Sequence, residues 1–140
     1  AIYDIVFTRV AELFPPDITL EAEKGSALVA VARALVGSVV GKAASIGENW
    51  LYLDVGVFNG LMEAFGDIPY VFTPLSDPGT DVKKWTIAGP SCDSFDVVAK
   101  DISLAELAVG DRVLITPGGA YTTAYASNFN GVQIPAVIVA

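Results

Sequence analysis

Apolar residues at Ile2, Ile5, Val6, Val10 and Leu13 recur at the three-to-four spacing of one helical face, with Asp4, Thr8, Arg9 and Glu12 on the other. The spacing predicts an amphipathic helix over Ile2 to Leu13. Phe14-Pro15-Pro16-Asp17 stops it, because neither proline can donate a helical hydrogen bond. Ile18-Thr19-Leu20-Glu21-Ala22 then alternates like a short strand. Ala27 to Ala34, rich in alanine, reads as a helical turn or two, and the valine-rich Leu35 to Ala43 reads as extended chain.

From there the pattern is that of β structure. Short strands are predicted at Trp50 to Val55, Ile68 to Phe72, Trp85 to Ala88, Asp96 to Ala99, Arg112 to Thr116 and Pro135 to Val139. Turn signals separate them: Gly47-Glu48-Asn49, Ser76-Asp77-Pro78-Gly79, Gly89-Pro90, Gly110-Asp111 and Pro117-Gly118-Gly119. Gly60 to Phe65 reads as a short helix between two strands. This spacing predicts a mainly β fold, an antiparallel Greek-key barrel or sandwich with an N-terminal α-helix. The helix is expected to lie against one open side and cover it with its apolar stripe. With no internal repeat and no linker, residues 1–140 form a single domain.

Composition narrows the function. Of 140 residues, 53% are hydrophobic and 17% charged, enough to bury a sizeable core. Eight Lys and Arg against 16 Asp and Glu give a net charge of −8 and a pI near 4.2. Such a field repels phosphate backbones and anionic lipid, so no nucleic-acid or membrane partner is expected. The apolar run from Ala27 to Gly41 is interrupted by Arg33 and falls short of the ~20 residues a membrane span requires. No basic region precedes it, so it does not read as a signal peptide. There is no histidine, which excludes Ser-His and Cys-His nucleophile pairs and any His-ligated metal. Cys92, the single cysteine, makes neither an intramolecular disulfide nor a Cys-only zinc site, and no metal is expected. A lone thiol points to a reducing, cytoplasmic setting.

Three stretches carry candidate chemistry. Gly89-Pro90-Ser91-Cys92-Asp93-Ser94 packs a thiol, a carboxylate and two hydroxyls beside a glycine-proline corner. Functionally, Cys92 is a reactive thiol and Asp93 a carboxylate aimed at a ligand amine. The plainer alternative is a buried small cysteine and an aspartate that hydrogen-bonds its own turn. The neighbouring carboxylate disfavours the thiolate, with no histidine to offset it. Gly118-Gly119-Ala120-Tyr121-Thr122-Thr123, followed by Phe129-Asn130-Gly131, either offers backbone amides and the Tyr121 hydroxyl to a phosphate or forms a turn with Tyr121 in the core. It is not a P-loop, because no Gly-Lys-Ser/Thr follows. Asp54-Val55-Gly56-Val57-Phe58-Asn59-Gly60 says only that a strand bends closely at Gly56.

Together and in this order, these stretches resemble the C-terminal part of the fold-type III, pyridoxal-phosphate-dependent ornithine/lysine/diaminopimelate decarboxylases, bacterial ornithine and lysine decarboxylases above all. The matching text is Leu51-Tyr52-Leu53-Asp54-Val55-Gly56-Val57-Phe58-Asn59-Gly60, Ala88-Gly89-Pro90-Ser91-Cys92-Asp93-Ser94, Gly110-Asp111-Arg112 and Gly119-Ala120-Tyr121-Thr122 through Asn130-Gly131. The resemblance implies the β domain shared with alanine racemase over residues 26–140. Residues 1–25 would be a remnant of the last helix and strand of the family's (β/α)8 barrel. It implies a homodimer in which Cys92 and Asp93 reach into the neighbouring subunit's site. There the cysteine directs protonation of the decarboxylated intermediate and the aspartate meets the substrate's distal amine. Tyr121 matches the tyrosine on the cofactor phosphate, and Phe129 an aromatic lining the substrate pocket. Glu23 matches the glutamate paired with the pyridinium nitrogen. Glu63 lies near a second amine-facing carboxylate.

The departures from the family pattern are informative. Where the family has Glu-Pro-Gly-Arg, this chain has Glu23-Lys24-Gly25-Ser26. Glu23 and Gly25 are kept, but Ser26 replaces the arginine whose planar fork clamps the phosphate. The family's Schiff-base lysine, stacking histidine and glycine-rich loop lie on earlier barrel strands, and no lysine here takes that lysine's place. The resemblance therefore implies a non-enzymatic isolated β domain that binds no cofactor. It would be a natural fragment or an excised and redesigned scaffold, with Lys24 and Ser26 softening a bared surface. The alternative is one part of an ornithine/lysine decarboxylase, active only with a separate pyridoxal-phosphate-binding barrel chain.

Overall fold

Helix α1 (Ile2–Leu13) starts and stops where the apolar spacing and the Pro15-Pro16 pair place its ends. A short α2 (Ser26–Val29) runs into a 3-10 turn at Ala30–Ala32, the helical turn or two expected from the alanine-rich segment. Six strands follow: β1 (Leu35–Ser45), β2 (Glu48–Leu53), β3 (Val71–Pro74), β4 (Val82–Ala88), β5 (Val97–Ala105) and β6 (Arg112–Thr116). The computed structural model describes residues 2–45, 47–77 and 79–139. The turn expected over Ser76-Asp77-Pro78-Gly79 thus lies partly outside the described residues, at Pro78. Beside it the Gly79 amide donates to the Asp77 carboxylate at 3.2 Å.

The strands form one mixed sheet in the order β3-β6-β1-β2-β4-β5, nearly closed into a barrel. β1 turns the sheet: Leu35–Ser38 pair antiparallel with β6, and Val39–Ser45 pair antiparallel with β2. A register shift between Val39 and Gly41 lets one strand serve both partners, since a bulge bends the strand that carries it. The mainly β expectation holds, with one correction to the antiparallel reading. β2 and β4 run parallel, with Trp50 opposite Thr86 and Leu51 opposite Ile87. Residues 54–81 carry the chain over to the far edge, where β3 pairs with β6, before it re-enters beside β2 in the same direction. A parallel neighbour requires such a long crossover.

The core is built by strand alternation. Leu51 and Leu53 on β2, Trp85 and Ile87 on β4, and Val113 and Ile115 on β6 point inward with Val39, Val55, Val57, Leu61, Phe72 and Leu107. Trp85 also satisfies its indole N–H, donating to the Leu104 carbonyl at 3.2 Å. Met62–Gly66 forms a 3-10 turn that overlaps the Gly60 to Phe65 span read as a short helix.

Four expectations are corrected. Ile18–Ala22 and Pro135–Val139 are not strands. Alternation alone makes no ladder, and among the described residues no strand lies alongside either segment. Residues 11–25 are all exposed, and so are Ile138 at 88% and Val139 at 91%. The strand placed at Ile68 begins instead at Val71, after the chain leaves the 3-10 turn through Asp67 in the left-handed region. Helix α1 does not cover the sheet with its apolar stripe, for Ile5 is 67% and Leu13 66% exposed. Its neighbour is the chain that follows it: Lys24 Nζ stands 4.4 Å from the Phe7 ring centre and 5.0 Å from that of Tyr3. No helix among the described residues is long and apolar enough to cross a membrane.

Candidate functional site

The segment joining β4 to β5 carries Cys92 and Asp93, and the buried carboxylate of Asp96 fixes its shape. Asp96 is 2% exposed. Its Oδ2 accepts the Ser91 amide at 2.9 Å and its Oδ1 the Val57 amide at 2.7 Å. Two backbone amides thus converge on one buried side chain. The carboxylate lies against Gly56 and Gly89, whose backbones also face each other, and a Cβ at either glycine would overlap it. The close bend expected at Gly56 is therefore real, and Asp96 is its reason. Asn59, also buried, completes the corner. Its Oδ1 accepts the Gly56 amide at 2.7 Å, and its Nδ2 donates to the Asp54 and Gln133 carbonyls at 3.1 Å.

On this platform Ser91 is buried and Cys92 follows with φ +59 and an exposed side chain. The buried-cysteine reading is thereby corrected. Asp93 does serve its own turn: Oδ1 accepts the Phe95 amide at 2.8 Å, and its carbonyl accepts the Asp96 amide at 3.0 Å.

Two other candidates are brought beside this loop. Asn130, with φ +52, donates from Nδ2 to the Ser91 carbonyl at 2.8 Å, tying in the Phe129–Gly131 turn. Phe129 tilts against Phe58 with ring centres 4.6 Å apart. Glu63 sits on the 3-10 turn that reaches the loop through Phe65 and Phe95, ring centres 6.0 Å apart. Below it Tyr70 is buried, and burial, with the Glu63 charge second, pushes its phenol up to about 12.

The remaining candidates form a second set. Tyr121, at φ +53, stacks on Tyr125 at 5.4 Å and directs its hydroxyl to the space that a Cβ on Gly25 would fill. Tyr121 is thus half-exposed rather than in the core. The Gly118 and Gly119 amides donate to the carbonyls of Arg33 and Ala30 at 2.9 and 2.8 Å. They hold the α2 segment and are spent, which corrects the reading of them as phosphate donors. Glu23 is exposed. Among the described residues no hydrogen bond, ion pair or ring contact joins this set to the Cys92 loop.

The donor set can be tested against a phosphorylated cofactor. A phosphate needs several converging donors or a guanidinium fork. Tyr121 and Ser26 bring one hydroxyl each, the Gly118 and Gly119 amides are spent, and no guanidinium stands at position 26. These residues do not fit pyridoxal phosphate by themselves. A cleft of about 640 Å³ lies between Arg33, Val36, Asn59, Gly118, Thr122 and the 135–139 segment; Cys92, Asp93, Tyr121, Phe129, Glu23, Gly25 and Glu63 do not line it.

The fold and site together are those of a mainly β domain, a mixed sheet with a cysteine-aspartate loop between β4 and β5. Residues 3–119 match the pyridoxal-dependent decarboxylase C-terminal sheet domain, and the chain belongs to that family. It is 35% identical over 143 residues to a lysine/ornithine decarboxylase of Selenomonas ruminantium, covering 99% of this chain and 35% of that protein. A probable ornithine decarboxylase of Dictyostelium discoideum is 32% identical over 149 residues, covering 95% of this chain and 32% of the relative. In structure it is similar to the lysine/ornithine decarboxylase from Vibrio vulnificus complexed with cadaverine, with TM-score 0.78 and 35% identity over 91% of this chain and 35% of that one. The Paramecium bursaria Chlorella virus arginine decarboxylase bound to agmatine gives TM-score 0.80 at 26% identity, over 93% of this chain and 37% of that one. The chain spans about a third of the length of the curated relatives it matches.

Proposed function

We propose that this chain is the β domain of a pyridoxal-phosphate-dependent ornithine/lysine-type decarboxylase. It is not catalytic alone, and it supplies the Cys92–Asp93 loop to a site whose cofactor is held by a barrel. The observation that carries the reading is the exposed, left-handed Cys92 on a loop pinned by Asp96, in the segment that matches the family. In the family reading Cys92 directs protonation of the decarboxylated intermediate, Asp93 meets the distal amine, Phe129 lines the pocket and Tyr121 approaches the phosphate. Glu63 is the second amine-facing carboxylate, and Glu23 and Gly25 are kept from the barrel exit.

Exposed apolar side chains support a domain that is covered in use, by a barrel and by a second copy. Val31 is 90% exposed, and Leu28, Phe65 and Phe95 are exposed as well. A scaffold refitted to stand alone would carry polar residues at such places. Lys24 over the Tyr3 and Phe7 rings is the one contact that fits the refitted reading.

The test has two arms. The chain alone with pyridoxal phosphate is expected to release no carbon dioxide from ornithine or lysine, and to give no saturable absorbance change at micromolar cofactor. Joined to the barrel of a lysine/ornithine decarboxylase, it is expected to support decarboxylation that falls about 10²-fold or more in Cys92→Ala or Asp93→Ala. Turnover by the chain alone, or a joined protein indifferent to both substitutions, overturns the reading.

A further inference from the structure

Ser91 is held at both ends of its own backbone. Its amide donates to Oδ2 of the buried Asp96 at 2.9 Å, and its carbonyl accepts Nδ2 of Asn130 at 2.8 Å. The other Asp96 oxygen is fixed by the Val57 amide, and Gly56 and Gly89 close around the carboxylate. Asn130 adopts φ +52, so its carboxamide is presented by a turn of set shape, and Phe129 beside it is packed on Phe58. Cys92 is the next residue: the peptide plane that joins it to Ser91 is the one whose carbonyl Asn130 holds, and Asp96 holds the plane before it. A side chain whose preceding peptide plane is fixed, and whose own φ lies in a narrow well, has little left to vary but its χ1.

The geometry points to Asp96 and Asn130 as positioning residues that lock Ser91 between them, so that the Cys92–Asp93 loop and the Phe129 turn move as one rigid unit. The inference rests on the proposed role of Cys92 and Asp93 and deepens it, since orientation of a reacting group is set by the groups that hold it. Neither residue touches substrate in this account. Asp96 sets the depth and direction of the loop, and Asn130 ties it to the pocket wall.

The test begins with the unaltered chain and amide hydrogen exchange. The Ser91 and Val57 amides are expected to be protected on the order of 100-fold or more over the unfolded chain. A Ser91 amide exchanging within a few-fold of the unfolded rate overturns the lock. A trifluoroethylthio group on Cys92, the only cysteine, then reports the loop by fluorine NMR. The unaltered sequence is expected to give one resonance displaced from that of the urea-unfolded chain.

Asn130→Gly keeps the left-handed backbone and removes only the carboxamide, leaving the buried carboxylate and the sheet intact. Its resonance is expected to shift toward the unfolded position while the unfolding midpoint stays put, a change that a merely structural role would not produce. Asp96→Asn leaves one acceptor for two amides, setting a donor against Ser91 or Val57, and is expected to shift the resonance further; if it fails to fold, exchange and Asn130→Gly still decide. An unmoved resonance in Asn130→Gly overturns the proposal. In the barrel-joined enzyme, Asn130→Gly is expected to lower kcat about tenfold with little change in KM. A joined enzyme that is inactive throughout while exchange and fluorine data hold would sink the decarboxylase reading and leave the lock standing.

Discussion

Tyr70 and Gly56 show how single residues tie stability to the candidate site. Burial and the Glu63 charge raise the Tyr70 phenol to about 12, against 10.0 for the free side chain. The folded state therefore keeps a proton that the unfolded chain gives up between those values. The stabilisation is complete below pH 10 and is lost as the pH rises toward 12, on the order of 2 to 3 kcal/mol in all. Urea unfolding at pH 9 and pH 11 is expected to show about half of that loss in the unaltered chain and a clearly smaller one in Tyr70→Phe; equal losses would exclude Tyr70. Gly56→Ala drives a methyl group into the Asp96 carboxylate and the Gly89 backbone, neither of which is free to yield. A cost of about 2 to 4 kcal/mol is expected by urea denaturation, together with faster exchange of the Ser91 amide.

Among the elements, α1 and α2 differ in how they are held. The α2 segment is stitched down by the Gly118 and Gly119 amides, and a Cβ at Gly119 would overlap the Val29 carbonyl oxygen. Gly119→Ala is expected to release residues 26–33, read as proteolytic cleavage there before the sheet unfolds. Helix α1 meets Lys24 instead and leaves its stripe bare. Deleting residues 1–14 is therefore expected to leave the unfolding midpoint of the sheet within about 1 kcal/mol of the parent, and a large loss would show that α1 supports the sheet. Glu106 links β1 to β4 through Lys42 at 3.1 Å and through Lys83, which also meets Asp81 at 3.3 Å. Hydrogen bonds from both lysines lower its carboxyl below the usual range. The benefit is present above that range and is lost as the pH falls through the lowered value. Being exposed, the cluster is sensitive to salt, and Glu106→Gln is expected to matter less in molar salt than at low ionic strength.

At the scale of the molecule, a charge of −8 and a mean hydropathy of +0.54 pull in opposite directions. The charge keeps copies apart, while exposed apolar side chains such as Val31, Phe65 and Phe95 favour their burial. A homodimer made by burying this surface against a two-fold copy is self-complementary and is strengthened when salt screens the repulsion. Light scattering at micromolar concentration is expected to give twice the chain mass, more completely as salt is raised. A single-chain mass at every salt concentration would refute the dimer.

Local chemistry made much of this legible in the sequence: helical spacing and Pro15-Pro16 for α1, β-branched runs for β1 and β6, and Gly56 as a place of close approach. The motif order from Leu51 through Asn130 pointed to the family, because glycines, a cysteine and an aspartate at those intervals are a sequence property. Strand pairing was different. Ile18–Ala22 and Pro135–Val139 alternate as well as true strands do, yet no neighbour lies alongside them, and β2 meets β4 in parallel only because residues 54–81 first cross the sheet. Asp96 read as the first residue of a strand, and Asn130 as part of a turn. Asp96 reaches Val57, and Asn130 reaches Ser91, across 39 residues in each case, and only the bond from Ser91 to Asp96 is local. The sequence by itself determined which segments favour helix or extended chain and which family motifs are kept, since both are written in neighbouring residues. Tertiary structure alone decided which edges pair, which amides are spent and which buried carboxylate holds the Cys92 loop, because a hydrogen bond depends on distance in space.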